Sequence, residues 1–125
     1  MTLYKKYGII NKKGIYMIIT RFKIGIEDPN DEVTRASMLA TAEYLKDING
    51  VETSTAEERE IVIVSQATLG NVFVSLVTLA FNKIFENMVH MYYDVGNPCI
   101  EQENVDKYLK AINRGFLVEA YEENI

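Results

Sequence analysis

His90, Tyr92 and Asp94 alternate along Val89–Val95 and would share one face of an extended strand, with Asn97 and Cys99 following at a Gly96-Asn97-Pro98 break. A carboxylate beside an imidazole can orient it as a general base, and a nearby thiol can then serve as the nucleophile. His90 is the sole histidine and Cys99 the sole cysteine, so His90, Asp94 and Cys99 are the candidate catalytic set. Packed beside Ile100 as a small hydrophobe, Cys99 would instead be inert and the three alternating residues a polar sheet face. One histidine excludes the common two-histidine zinc sets within a single chain. The sequence also lacks a Gly-x-Ser-x-Gly elbow, a phosphate-binding loop and a dinucleotide fingerprint, and it implies no cofactor.

A second cluster, Asp28, Asn30, Asp31 and Glu32, offers oxygen ligands of the kind that hold calcium or magnesium. It lacks the glycine and the later bidentate glutamate of an EF-hand loop. Asp28, Asp31 and Glu32 are thus candidate metal ligands, with helix capping as the simpler account. Asp28 can cap, Pro29 suits a first helical position, and acids favour the positive end of a helix dipole. Glu57, Glu58 and Glu60 around Arg59 form an exposed charged turn.

Charge is unevenly distributed. Lys5, Lys6, Lys12, Lys13, Arg21 and Lys23 precede the first acid, Glu27, while the net charge is −5. A basic head with Tyr4 and Tyr7 has the mix of charge and stacking used on single-stranded nucleic acid, but the acidic body opposes a phosphate backbone. Nucleic acid is therefore not the expected partner. Lys12-Lys13-Gly14 can be encoded by a purine-rich run just upstream of Met17. Residues 1–16 are then either an extension ahead of a start at Met17 or a real strand over Tyr7–Ile10 that turns at Asn11–Gly14. No secretory signal is evident, and a lone cysteine fits a reducing compartment, which points to the cytoplasm.

These residues need elements to position them. From Met17 the chain alternates, with Ile18, Thr20, Phe22, Ile24 and Ile26 on one face and Arg21 and Lys23 on the other. A helix beginning near Asp28 follows, with Val33, Ala36, Ala40, Tyr44 and Ile48 as its stripe and Asn49-Gly50 as its stop. Val51–Thr55 and Ile61–Val64 predict two strands. Ile61 through Asn82 carries no charge and admits three structures. A helix from about Thr68 to Asn87 accounts for the polar stripe Asn71, Ser75, Thr78, Asn82 and Glu86. Gly70-Asn71 would instead suit a hairpin turn over 67–80. The length would also suffice for a membrane span, against which stand Gln66, Gly70, Asn71 and the acidic flanks. Val89–Val95 then predicts a strand, Glu101–Asn113 a helix with Val105, Tyr108, Leu109 and Ile112 as its face, and Phe116–Tyr121 a closing strand.

Strand, helix, strand, strand, helix, strand is the split βαβ order of ferredoxin-like α+β sandwiches, here with an added C-terminal helix and strand and a possible N-terminal strand. The Ile48-Asn49-Gly50-Val51 corner resembles the first helix-to-strand corner of such domains. Residues 17–121 are expected to form one domain and 122–125 to fray. The helix over 68–87 is apolar around more than half its circumference, which leaves Val74, Leu79, Phe81 and Phe85 in need of a partner. The C-terminal helix, the N-terminal segment or a second subunit could supply it. These features predict a non-enzymatic binding or assembly module that homo-oligomerises, with its small-molecule ligand unidentified and no membrane. The alternatives are a small enzyme using His90, Asp94 and Cys99, and a nucleic-acid accessory protein using the basic N-terminal segment.

Overall fold

The computed structural model describes residues 3–5, 8–10, 16–94 and 102–123, with side chains described over 17–92 and 105–123. Two short strands, β1 (Leu3–Lys5) and β2 (Gly8–Ile10), pair antiparallel, and β2 pairs the start of β3 (Tyr16–Ile24). The alternation read from the sequence sets the two faces of β3. Phe22 and Ile24 are fully buried in the core, while Arg21 and Lys23 lie on the opposite face.

After β3 come α1 (Glu32–Lys46), β4 (Val51–Ala56), β5 (Glu60–Ser65), α2 (Asn71–Asp94), α3 (Gln102–Arg114) and β6 (Val118–Glu122). The result is a mixed α+β architecture of an antiparallel sheet and three helices. β5 pairs with β3 and β4, and β6 pairs with the second half of β3, so the central strands run β6-β3-β5-β4. The first helix packs on α2 and β4, and α2 also meets α3 and β6.

The strand expected over Val89–Val95 is not formed. Residues 89–94 are the last turns of α2, and Val95 lies outside the described residues. The alternation there was real but short. Val77, Phe81, Phe85 and Val89 recur every four residues as the buried ridge of the helix, and Val89 extends that ridge by one more turn. The strand beside β3 comes from β6, which overlaps the closing strand expected over Phe116–Tyr121 but is shifted to Val118–Glu122. Neither does a hairpin turn at Gly70-Asn71, because the Gly70 carbonyl accepts from Phe73 and Val74 as α2 begins.

Three features of α1 also differ. Its N-cap is Asp31, and Asp28 instead accepts from the Asn30 N–H in the preceding turn. The buried stripe runs Val33, Thr34, Ser37, Met38, Thr41, Ala42 and Leu45, leaving Tyr44 exposed. Ser37 and Thr41 tolerate full burial because each hydroxyl donates to the carbonyl four residues earlier, at 2.7 Å. The helix itself ends at Lys46 with Asp47 as its C-cap, ahead of the expected Asn49-Gly50 stop, and Gly50, with φ of 95°, turns the chain into β4.

Candidate functional site

Where the chain leaves β3, the loop 25–31 runs past the outer side of α3, and a cleft of about 430 Å³ opens between them. Asp31 closes one end of it. Its Oδ2 accepts from the Thr34 backbone N–H at 2.9 Å and from the Thr34 hydroxyl at 3.0 Å, which caps α1. Its Oδ1 accepts a short hydrogen bond from the Tyr108 hydroxyl on α3. One carboxylate thus fixes the start of α1 and ties α3 to it across 77 residues of sequence.

The floor is aromatic. Phe85 from α2 meets Phe116 edge-on at 4.8 Å and 70°, and Tyr108 at 6.0 Å and 74°. Phe81 supports it from behind, edge-on to Phe116 at 5.2 Å. These are the preferred tilted geometries for rings carrying opposed edge and face charge. Phe116 is held by Asn82, and its approach depends on Gly115, whose φ of 76° ends α3 in the left-handed region.

The rim divides by charge. Glu27 and Asp28 lie on the loop, whereas Lys107, Lys110 and Arg114 line the cleft from α3 at helical spacing, together with Asp106. Arg114 reaches Glu27 at 3.3 Å, with side chains 64% and 72% exposed, so this bridge contributes little to stability. Burial, then the hydrogen bond to Asp31 and the neighbouring carboxylates, push the Tyr108 hydroxyl well above the ordinary tyrosine range. It therefore stays a protonated donor and cannot act as a base at neutral pH. Among the described lining residues there is no histidine, cysteine or serine. Such a cleft can hold an apolar body and orient charged groups at its edges.

Of the candidate catalytic set, only His90 has a described side chain. His90 is exposed on α2, and a helix places Tyr92 about 200° around from it, so the two no longer share a face. The Asp94 side chain, Asn97 and Cys99 lie outside the described residues. Among the described residues, the candidate metal ligands form no group that could hold a metal ion. Asp31 caps α1 and holds Tyr108, Asp28 closes a turn, and Glu32 is exposed in the first turn of α1.

Of the expected interface residues, Phe81 and Phe85 are 0% and 2% exposed and belong to the core, and Val74 is half-buried against it. Only Leu79 points outward, at 71% exposure, accompanied by Val72 at 86%. The partners that α2 required are therefore α1, α3 and the Phe116 segment of the same chain. The polar stripe read from the sequence is not the outward face either, since Asn82 within it binds Phe116.

Two groupings had escaped the sequence. The cleft joins acids of the β3–α1 loop to bases some eighty residues later, and only the tertiary contact unites them. On the far face of the sheet, Arg21 bonds Glu57 at 3.0 Å, Glu60 at 3.1 Å and Glu123 at 3.5 Å, while the Tyr121 hydroxyl donates to Glu60 at 2.6 Å. Arg21 is thus engaged in binding the sheet's own strands together. Protein-family models, curated protein sequences and solved structures yield no match to this chain.

Proposed function

We propose that this protein is a non-enzymatic binding module whose ligand seats in the cleft between the β3–α1 loop and α3. The observation that carries this reading is an aromatic-floored cleft of ligand size whose hydroxyls are tied up in structural hydrogen bonds. The fold reading that accompanies it is a ferredoxin-like sandwich, supported by the order β6-β3-β5-β4, with α3 inserted before the last strand. Folds of this kind serve many functions, so the cleft and not the fold supports the assignment.

The test is titration with the neutral dye N-phenyl-1-naphthylamine, followed by its fluorescence. Wild type should bind it saturably, and Ala111→Trp, which fills the cleft from α3, should abolish binding while retaining the fold by circular dichroism. Equal binding by both proteins would refute the reading.

Self-association is the second part of the proposal, supported by Val72 and Leu79 exposed on the outward side of α2. Light scattering after chromatography should report more than one subunit at micromolar concentration, and Leu79→Glu should reduce that number. A monomer in both cases would dismiss it.

A further inference from the structure

The two elements that form the cleft rim carry opposite net charge. The loop contributes only carboxylates, Glu27 and Asp28 being the two not engaged by Tyr108. The α3 side contributes three bases, Lys107, Lys110 and Arg114, against one acid, Asp106. Arg114 and Glu27 bridge the gap at an exposed position, and Lys107 and Lys110 have no ion-pair partner among the described residues. Two walls of opposite net sign over an aromatic floor form a dipolar seat. An anion alone would face the loop carboxylates, and a cation alone would face three bases. A molecule carrying both charges around an apolar body meets each wall with its opposite.

We infer that the cleft takes a small zwitterion of the amino-acid type with an apolar or aromatic side chain. The ammonium lies toward Asp28 and Glu27, the carboxylate toward Lys107, Lys110 and Arg114, and the side chain against Phe85 and Phe116. Binding exchanges the exposed Arg114–Glu27 pair for two ligand pairs, which is a small loss because a pair so exposed is weak. Arg114 is the natural carboxylate partner, since its planar fork matches two oxygens at once. This ligand class rests on the cleft being a binding site at all.

The experiment is an amide chemical-shift titration of the nitrogen-15-labelled protein with four probes: L-phenylalanine, N-acetyl-L-phenylalanine, L-phenylalanine amide and N-phenyl-1-naphthylamine. L-Phenylalanine should move amides of residues 26–31 and 106–116. Each singly capped form should bind roughly tenfold more weakly, the loss expected for one charge-assisted hydrogen bond. Asp28→Asn, which keeps the acceptor oxygen of the loop turn, should weaken L-phenylalanine and leave the N-acetyl form unchanged. Lys110→Gln should do the reverse, weakening L-phenylalanine while sparing the amide. If N-acetyl-L-phenylalanine binds as tightly as the free amino acid, the site is an anion site and the zwitterion is wrong. If only the neutral dye moves these amides, the ligand class fails while the binding module stands. If no probe moves them, both fail.

Discussion

Asn82 on α2 holds the backbone of Phe116 with both ends of its amide. Its Oδ1 accepts from the Phe116 N–H at 2.7 Å, and its Nδ2 donates to the Phe116 carbonyl at 3.1 Å. The same Nδ2 also donates to Thr78 one turn back, at 2.8 Å, which fixes the rotamer. Phe116 is 8% exposed and contacts both Phe81 and Phe85, so this amide sets the position of the cleft floor.

Asn82→Ala should therefore destabilise the protein by about 2–3 kcal/mol, because two backbone groups lose their partner in a partly buried place. Asn82→Asp should keep the acceptor and lose the donor, giving an intermediate loss. Urea denaturation checks both. A change within about 0.5 kcal/mol for Asn82→Ala would mean that Phe116 is held by its ring contacts alone.

Tyr108 and Asp31 make a second prediction, with a pH signature. The Tyr108 hydroxyl has a pKa raised by burial and by Asp31, so its contribution is fully present below the ordinary tyrosine value of about 10. That contribution is lost as pH rises through the higher folded value. Tyr108→Phe should cost about 1.5–3 kcal/mol at pH 7. It should also flatten the fall in stability between about pH 9 and 12. Parallel stability curves for the two proteins over that range would contradict the assignment.

Much of the sheet was legible because the chain alternates from Thr20 in β3 to Ile26 and β5 is a run of β-branched residues. Phe22, Ile24, Ile61 and Ile63 announce the core face, with Thr20 also drawn inside. The end of α2 was not legible. Val89–Tyr93 mixes β-branched and aromatic residues in alternation, and only the spacing of Val89 from Val77, Phe81 and Phe85 favours helix, a spacing whose value depends on what the ridge packs against. The cap was ambiguous for a similar reason. Asp28 and Asp31 both precede acids, and the deciding fact is which carboxylate reaches an N–H three residues ahead. As for the cleft, Lys107, Lys110 and Arg114 read as one helix face, and Glu27 and Asp28 as a turn, but no local signal brings them together.

The Arg21 cluster predicts behaviour at acid pH. The Glu60 carboxyl is lowered below its ordinary value, chiefly by the Tyr121 hydroxyl, and then by Arg21, with partial burial opposing. A depressed carboxylate stabilises the fold above its unfolded pKa of about 4.3, and that stability is lost as pH falls through the lower folded value. Melting temperature followed from pH 6 to pH 2.5 should fall more steeply for wild type than for Glu60→Gln, and Tyr121→Phe should lie between them. Identical slopes for wild type and Glu60→Gln would show that Glu60 carries none of the acid sensitivity.

Whether this protein binds its ligand in the cleft between the β3–α1 loop and α3 is decided by a thermal-shift screen of a small-molecule library on wild type and Ala111→Trp side by side. A ligand present at about 100 times its dissociation constant adds roughly 2.7 kcal/mol. In a domain of this size that raises the melting temperature by several degrees, on the order of 3 °C or more per kcal/mol. Some compounds should raise wild type by such amounts and leave Ala111→Trp unmoved. Compounds that shift both proteins equally would place binding elsewhere and contradict the proposed site.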